Sequence, residues 1–410
     1  MNHSTLFLII IVILVLEFLL DTFLGFLNSK QYNAPIPSEL EDVYDASEYR
    51  KSQEYKKVNY KFGLLTSTFS FFMTISFLVF GGFEWIDQIA RSFTENSIVT
   101  TLLFFGLIII GSDVITTPFS YYKTFVIEER FGFNKTTQGT FLIDKLKGWS
   151  MILVLGGGII ALIIWFFEWA GSSFWIYAWV LVAAITLFMN LFYSKLIVPL
   201  FNKQEPLDEG SLKSKIDAYA KEVGFELKNI FVINGSKRST KANAYFSGFG
   251  KEKRVTLYDT LINDLDENEI IAVLAHEVGH YKRNHIIFNL VSSIVLTGLT
   301  LFILSLFVNN PQVAMSIGVT QPSFHAALIG FGILYSPISE LTGLIMNFLS
   351  RKFEYQADNY AKNTFGADPL ISSLKKLSKN SLSNLTPHPA YVFMHYSHPP
   401  LINRIKNLKA

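Results

Sequence analysis

The chain of 410 residues is half hydrophobic and contains no cysteine, and these features already exclude several classes of protein. Charged residues make up 17% of it, against about 25% in soluble domains, and the mean hydropathy is +0.32, so a multi-pass membrane protein is predicted. The lack of cysteine excludes disulfides, thiolate metal sites and cysteine nucleophiles. A net charge of +2, without a basic patch interleaved with aromatic residues, predicts no nucleic-acid partner.

Seven apolar stretches are long enough to cross about 30 Å of hydrocarbon, which takes roughly twenty helical residues. They lie near 6–27, 62–83, 100–120, 150–169, 174–198, 286–308 and 323–349. The first carries Glu17 and Asp21, has no Lys or Arg before it and lacks a small-residue cleavage site. It is therefore predicted to be a retained span and not a signal peptide.

Lysine and arginine are distributed unevenly over the connections between these stretches. Segments 28–61 and 121–149 contain six and five of them. Segment 84–99 contains one, and segments 170–173 and 309–322 contain none. Because positive residues favour the cytoplasmic side, the N-terminus is predicted to lie outside and the large polar segments in the cytoplasm.

Polar residues also occur within or at the ends of the spans: Glu17, Asp21, Asp113, Asn190, Glu340 and Asn347. A single residue of this kind is explained by a hydrogen bond between helices. Ionisable groups at membrane depth, however, usually face the protein interior or water. Several of them together favour an internal polar cavity.

The largest soluble insert, 199–285, has the pattern of a small α/β unit. The predicted elements are a helix at 209–223 and strands at 228–234, 244–250 and 254–259. The last two strands are expected to pair through Gly250–Lys251. The strand that begins with Ala244, Tyr245 and Phe246 is a candidate substrate edge, since main-chain hydrogen bonds hold a peptide regardless of its side chains.

The insert ends in the stretch Glu269-IIAVLA-His276-Glu277-VG-His280. Histidines four apart lie on one face of a helix and can reach a single metal ion. Glu277 between them is placed to take a proton from a metal-bound water. We expect this helix to run without a break into the apolar segment at Ile286. The alternative is a pair of surface histidines on an amphipathic helix.

A catalytic zinc site uses three protein ligands and keeps a fourth position for water, so one more ligand is needed. Residues 350–366 are predicted to extend the last membrane helix, and Glu354 and Asp358 lie four apart on it. Glu354 is the expected ligand, and Asp358 is expected to accept a hydrogen bond from a ligand histidine. The alternative is a solvated acidic face that pairs with Arg351 or Lys362.

The remaining histidines compete for a role at the metal. His285 is expected to point elsewhere on the helix and to be interfacial, and His3 and His325 are predicted to lie on the outer side. Three more lie in the tail, which is predicted to end in a proline break and a short basic helix: His388, His395 and His398. From spacing alone each of these three is expected to be structural, although any of them can return to the site.

Four separated motifs, in order, resemble the type I CAAX prenyl protease family, integral-membrane zinc metalloproteases of the a-factor-converting type. They are KANAYFSG (241–248), HEVGH (276–280), SRKFEYQAD (350–358) and HYSHPPL (395–401). Segment 124–148 is similar to the loop between that family's third and fourth spans. The resemblance thus covers nearly the whole chain.

The resemblance implies a mainly α, polytopic fold of seven transmembrane helices that enclose a chamber, with a gluzincin-like cytoplasmic metalloprotease domain containing a small β-sheet. The expected sections are 1–198 with five membrane helices and cytoplasmic loops 28–61 and 121–149, the protease domain 199–285, helices six and seven in 286–349, and a cytoplasmic segment 350–410 that carries the third ligand.

The resemblance also implies roles for individual residues. One Zn²⁺ per chain is expected, bound by His276, His280 and Glu354. Glu277 is the expected general base. Asn243 and His398 match the positions that bind substrate and stabilise the tetrahedral intermediate, and Asp358 matches the acidic residue of a Glu-x-x-x-Asp pattern.

The expected function is hydrolysis of peptide bonds near the C-terminus of prenylated CaaX proteins or peptides. Cleavage of damaged membrane proteins without prenyl specificity is an alternative. A transporter or receptor with a structural metal is another, but it needs no carboxylate between two ligands, so Glu277 favours the enzyme over it. An inactive scaffold is expected to lack one of the key residues.

The expected partners are a peptide or lipidated-protein substrate and membrane lipid, and the chain is expected to be a monomer. It is shorter than eukaryotic members of the family and ends in KNLKA, without a retrieval signal. A bacterial cytoplasmic membrane is therefore expected, with the site on the cytoplasmic side; the endoplasmic reticulum membrane is the alternative.

Overall fold

The computed structural model describes residues 1–225, 227, 230–248 and 253–410, and it is mainly helical. The long helices are α1 (His3–Ser29), α2 (Ala46–Val79), α3 (Gly82–Phe93), α4 (Ser97–Tyr122), α5 (Gln138–Met151), α6 (Gly157–Ala170), α7 (Phe174–Leu196), α9 (Ser211–Glu222), α11 (Glu267–Lys282), α12 (His285–Phe307), α14 (Phe324–Thr364) and α15 (Ala367–Asn380). The short ones are α8 (Val198–Phe201), α10 (Asp259–Asp264), α13 (Pro311–Met315), α16 (Pro389–His395) and α17 (Leu401–Lys409). The strands are β1 (Gln204–Pro206), β2 (Ile230–Ile233), β3 (Ala244–Ser247) and β4 (Arg254–Tyr258).

Six continuous helical segments of the described chain are long and apolar enough to cross a membrane. One of them, Gln138–Phe201, contains two predicted spans, because a 3₁₀ turn at Gly171–Ser173 separates α6 from α7. Gly171 has a φ of 54°, which glycine adopts without a steric penalty. The structure therefore agrees with the seven spans predicted from the sequence.

Polar side chains join some of these helices within the membrane region. Asp113 of α4 accepts hydrogen bonds from Lys145 Nζ at 2.7 Å and from Trp149 Nε1 at 2.8 Å, both on α5. Ser336 of α14 donates to the Glu17 carboxylate of α1. Such bonds hold helices together where apolar contacts alone give little preference over lipid.

The four strands form one mixed sheet in the order β1-β2-β4-β3. β2 and β4 are parallel, whereas β3 pairs antiparallel with β4, with Tyr245 opposite Thr256. The predicted strand pair is thus confirmed, and β3 lies at an edge of the sheet. The predicted starts of β2 at Lys228 and Asn229, and the join at Gly250–Lys251, lie outside the described residues.

One hydrophobic core collects residues from distant parts of the chain around α11. Tyr55 of α2 and Phe131 and Phe133 of the segment after α4 pack into it, and Leu370 of α15 and Ile405 of α17 close it from the tail. Segments 28–61 and 121–149 therefore form one compact unit with the insert and the tail. This unit holds α11 against the C-terminal half of α14.

The predicted continuity between the histidine helix and the next membrane helix is wrong. α11 ends at Lys282, and α12 begins at His285 after a break. Asn284 has a φ of 58° in the left-handed region, which asparagine tolerates better than most residues. The break changes the direction of the chain and brings His285 back towards the histidine pair.

The predicted extension of the last membrane helix is confirmed. α14 runs for 41 residues without interruption, and Pro337 lies within it. Glu354 and Asp358 lie near its end, where both side chains are buried. A single helix thus connects the membrane region to the candidate site.

Candidate metal centre

The helix that carries the histidine pair is fixed at its start by a capping box. The Asp266 carboxylate accepts from the Glu269 main-chain N–H at 3.0 Å, and the Glu269 carboxylate accepts from the Asp266 main-chain N–H at 2.9 Å. Lys376 of α15 pairs with Glu269 at 2.7 Å. These contacts fix the N-terminal end of α11, and the histidine pair lies towards the other end of the same helix.

A glycine between the histidines allows α11 and α14 to approach closely. A Cβ atom on Gly279 would lie 3.0 Å from Ala357 Cα and 3.1 Å from Tyr360 Cβ. Ala275 and Ala357 are fully buried. Small side chains at this crossing therefore bring the Glu354 carboxylate within reach of both histidines.

Three donor atoms converge at the crossing. His276 Nε2 lies 3.2 Å from His280 Nε2, His280 Nε2 lies 3.2 Å from Glu354 Oε1, and His276 Nε2 lies 3.5 Å from Glu354 Oε2. Glu354 Oε2 is buried and has no hydrogen-bond partner among the described residues. Because a buried carboxylate oxygen without a hydrogen bond is costly, and two imidazole nitrogens lie beside it, the arrangement fits a bound metal ion.

A second set of contacts orients His276. Its Nδ1 lies 2.9 Å from Asp358 Oδ1, so Nδ1–H donates to the carboxylate and leaves the Nε2 lone pair free. Asp358 in turn accepts two hydrogen bonds from Arg404 of α17, at 2.9 Å from Nε and 2.6 Å from Nη2. Arg404 Nη1 also lies 3.4 Å from Glu354 Oε2, so one guanidinium neutralises two buried carboxylates.

His280 is oriented through another histidine. His280 Nδ1 lies 3.1 Å from His285 Nδ1, and His285 Nε2 lies 2.8 Å from Gln356 Oε1. Since the amide oxygen only accepts, His285 carries its proton on Nε2 and accepts from His280 Nδ1–H. The lone pair of His280 Nε2 is then directed to the metal position. His285 is buried and stacks on Phe353, so the expectation that it points elsewhere and is interfacial is wrong.

The carboxylates also change the protonation of the metal-free site. Burial by itself would lower the pKa of His276, but hydrogen bonds to Asp358 and Glu354 outweigh it and raise this pKa to about 9. Without a metal the imidazole is therefore protonated at neutral pH.

The three donor atoms open onto a cavity of about 510 Å³. Glu277, Asn243 and His398 line it together with the histidine pair. His398 Nε2 lies 3.4 Å from Glu354 Oε1, and the His398 side chain is 65% exposed. Asn243 directly precedes β3, whose residues Ala244–Ser247 form the sheet edge. The predicted ligands therefore surround one space together with Glu277, Asn243 and His398.

The tail histidines, each expected from spacing to be structural, differ in the structure. His398 lines this cavity, whereas His395 does not, as expected; its Nε2 lies 3.8 Å from Asp21 Oδ1 on α1. Sequence patterns gave no role to Arg404, Gly279 or Gln356, and they misplaced His285. The position of Gly279 inside the metal-binding motif is a local signal of close helix packing, whereas nothing local marks Arg404 or Gln356.

Comparison with known proteins decides the family. Residues 26–203 match the description CAAX prenyl protease N-terminal, five membrane helices, and residues 206–410 match peptidase family M48. The chain belongs to peptidase family M48. It is a multi-pass membrane metalloendopeptidase, which confirms the resemblance and decides against a transporter or receptor.

The similarity to individual M48 proteins extends over whole chains. A CAAX prenyl protease 1 homolog of Oryza sativa is 36% identical over 97% of this chain and 95% of its own. CAAX prenyl protease 1 of Saccharomyces cerevisiae is 33% identical, with 94% and 92% covered. A crystal structure of S. mikatae Ste24p superposes with a TM-score of 0.94 at 32% identity and covers 99% of both chains.

Proposed function

We propose that this M48 chain binds one zinc ion through His276, His280 and Glu354 and hydrolyses a peptide bond near the C-terminus of CAAX-type proteins. The observation that supports this most strongly is the convergence of the three donor atoms, with an unsatisfied Glu354 oxygen, on a cavity that Glu277 also lines. The CAAX substrate class comes from the names of the relatives in Oryza sativa and Saccharomyces cerevisiae.

Zinc fits the donor set in chemistry and in spacing. Two imidazole nitrogens and one carboxylate are a usual ligand set for catalytic zinc, with bonds of about 2.0 to 2.2 Å. Tetrahedral ligands at such distances lie roughly 3.4 Å from one another. The two Nε2 atoms lie 3.2 Å apart, and the distances from them to the Glu354 carboxylate, 3.2 Å to Oε1 and 3.5 Å to Oε2, agree with this value. Zinc would supply a Lewis acid and lower the pKa of a water in the fourth position.

Glu277 is proposed as the general base. It follows a ligand histidine on α11 and lines the cavity, so its carboxylate can receive the proton of the attacking water and pass it to the leaving amine. Asp358 and Arg404 hold His276 fixed while this proton moves. His285 does the same for His280.

Asn243 and His398 are proposed to bind the oxyanion that forms on the scissile carbonyl. Both line the same cavity, on the sides of β3 and of the tail. A donor of this kind typically contributes about 3 kcal/mol to transition-state stabilisation. Asn243 is fixed by its main-chain oxygen, which accepts from Tyr258 N–H at 3.0 Å, and by its Oδ1, which accepts from Ala244 N–H at 2.9 Å.

The substrate is proposed to add as a strand to β3. Because the Asn243 oxygen bonds to Tyr258, the alternation of an antiparallel ladder directs the main-chain groups of Tyr245 towards β4. The main-chain groups of Phe246 and the carbonyl of Ala244 then point to the free edge, whereas the Ala244 N–H is already bonded to Asn243 Oδ1. A peptide held there passes the cavity without any requirement on its side chains.

The location and partners are proposed with the same function. The excess of Lys and Arg in segments 28–61 and 121–149 favours a cytoplasmic site in an integral membrane protein, with membrane lipid around the helices. The relatives compared are eukaryotic, so they do not support the bacterial membrane and agree with the endoplasmic reticulum. We propose a monomer, since all three ligands come from one chain, and a helix-enclosed chamber that admits the substrate.

The decisive experiment compares a farnesylated CAAX peptide with the same peptide without lipid, using purified full-length protein of known metal content. We expect one zinc per chain, faster cleavage of the farnesylated peptide, and loss of cleavage with 1,10-phenanthroline. Equal cleavage of both peptides would support the peptidase without prenyl specificity. Cleavage that survives complete removal of zinc would contradict the proposed metal centre.

Replacement of His285 by leucine is expected to weaken zinc binding by about 10- to 100-fold, the usual range for a residue that orients a ligand histidine. The reason is that His280 Nδ1–H loses its acceptor. Competition with a chromophoric chelator measures the affinity directly. Gln356→Glu is the matched control, because a carboxylate still accepts from His285 Nε2 and should keep zinc bound. Unchanged affinity in His285→Leu would show that His285 does not orient the ligand.

Zinc binding is expected to tighten with rising pH. The proton on His276 must leave before Nε2 can bind metal, so the apparent association constant should rise about tenfold per pH unit and level off above the pKa of about 9. Because this pKa is raised on folding, the same proton stabilises the metal-free fold below about pH 6.5, and that stabilisation is lost as the pH rises through about 9. Chelator competition measures the zinc affinity over this pH range. A zinc affinity that does not change with pH would contradict the prediction.

A further inference from the structure

A second cavity, of about 420 Å³, lies between α1 and α2 and contains a lysine without a counterion. Tyr32, Tyr60 and Tyr391 form aromatic parts of its wall, and Lys56 of α2 lines it. Lys56 is half-buried, and no hydrogen bond or ion pair joins it to any residue that the structure describes; its Nζ lies 5.4 Å from the centroid of the Tyr55 ring.

The nearby carboxylate is already engaged. Glu128 Oε2 accepts from Lys241 Nζ at 2.9 Å, and Glu128 Oε1 accepts from Tyr55 Oη at 2.6 Å. Lys241 Nζ also bonds to Tyr55 Oη at 3.0 Å. Lys241 is thus the lysine that pairs with this carboxylate, and Lys56 lies near the pair without bonding to it, so the group has an excess positive charge on the side of Lys56.

The other carboxylate of the cavity does not balance this charge. Asp21 lines the same cavity but lies outside ion-pair distance of Lys56, and its described partner is His395, at 3.8 Å. Asn59 donates its Nδ2 to the Tyr55 main-chain oxygen at 2.9 Å. A partly buried ammonium in a largely aromatic cavity gains most from an anion supplied by a ligand.

The cavity is joined to the metal centre by two short segments. Tyr391 and His395 of α16 line it, and His398, three residues further, lines the cavity of the metal centre. Lys241, beside Lys56, is two residues before Asn243. A peptide held along β3 is therefore separated from Lys56 by only a few residues' length.

We propose that Lys56 binds the C-terminal carboxylate of the peptide substrate; this rests on the proposed cleavage near a C-terminus. About four extended residues span roughly 13 Å. A C-terminal carboxylate four residues beyond the scissile bond therefore lies near the metal centre, and Lys56 lies in the same region. The aromatic wall accommodates the last apolar side chain. Binding of the C-terminus at Lys56 then determines how many residues separate the cleaved bond from the end of the chain.

The test uses two peptides that differ only at their end, a free carboxylate or a carboxamide, with the full-length zinc enzyme. We expect the wild type to prefer the acid by about tenfold in kcat/KM, as for a charge-assisted hydrogen bond. In Lys56→Met this ratio should fall to about one, while the amide peptide is cleaved at nearly the wild-type rate. Lys57→Met removes the same charge from a lysine that bonds to Asn33 and does not line the cavity, and it should keep the tenfold ratio.

The ratio compares two substrates on one protein, so it does not change if part of the Lys56→Met protein is unfolded. Lys56→Arg keeps the positive charge and should retain a preference for the acid. An unchanged ratio in Lys56→Met overturns the proposal and leaves the peptidase intact. Failure to cleave either peptide by the wild type would instead contradict the proposed function. Repeating the measurement in phosphatidylcholine vesicles with and without phosphatidylglycerol separates a lipid phosphate from the peptide carboxylate. If Lys56→Met affects cleavage only where the anionic lipid is present, Lys56 binds lipid and the proposal is wrong.

Discussion

Replacement of Glu277 by glutamine is expected to lower kcat by about 100- to 10,000-fold, the usual contribution of a general base, with zinc still bound. Glutamine has nearly the same shape but cannot take a proton from water. His276, His280 and Glu354 are untouched by the change, so the metal should remain. Peptide cleavage and metal analysis on the same preparation measure both quantities.

Glu267→Gln is the matched control for this variant. Glu267 lies in the first turn of the same helix, where it pairs with Lys215 at 2.8 Å and does not line the cavity. Its activity should stay close to that of the wild type. Wild-type cleavage by Glu277→Gln with zinc bound would refute the proposed proton transfer, and loss of zinc in that variant would show that Glu277 is needed for the metal itself.

Replacement of Arg404 by methionine is expected to destabilise the fold by about 3 to 5 kcal/mol and to weaken zinc binding by about 10- to 100-fold. The variant leaves Asp358 buried without its two hydrogen bonds and removes the cation next to Glu354. Thermal unfolding and chelator competition measure the two effects. Lys406→Met is the control, because Lys406 is exposed and pairs with Glu39 on the surface.

A double variant separates stability from positioning. Arg404→Met combined with Asp358→Leu removes both members of the Arg404–Asp358 pair, and such replacements are often neutral for stability, while Glu354 keeps His276 and His280 beside it. We expect the unfolding temperature to recover, but zinc binding to stay weak, because His276 Nδ1–H then has no acceptor. Recovery of zinc affinity along with stability would mean that the network supports the fold and does not orient the ligand.

The parts of the protein that were predictable from the sequence are those with local signals. Hydropathy over twenty residues identified the seven spans, and a four-residue spacing placed His276 and His280 on one helix face. The same spacing placed Glu354 and Asp358 together on α14. The strand pair was predictable because two short strand-like runs follow each other closely in the sequence, and β3 and β4 do pair.

The features that the sequence did not predict depend on contacts between distant segments or on a single backbone angle. Arg404 meets Asp358 only because α17 folds back on α14, and no local pattern encodes that approach. The break before His285 depends on the left-handed conformation of Asn284, which changes no hydropathy average. His285 was therefore assigned to the wrong environment by extrapolating a regular helix through two residues.

The break at Asn284 gives the ligands of the proposed metal site unequal mechanical connections to the bilayer. Glu354 belongs to an unbroken helix whose opposite end is anchored by His325, which bonds to Asp87 at 2.6 Å. His325 and Glu354 are separated by about 44 Å along α14 at 1.5 Å per residue. The two histidines belong to a helix that ends at Lys282, and it is joined to the next membrane span by the His280–His285 contact and not by a continuous helix. A tilt of α14 driven from the far side of the bundle therefore moves one ligand against the other two, so zinc affinity can report the shape of the transmembrane bundle.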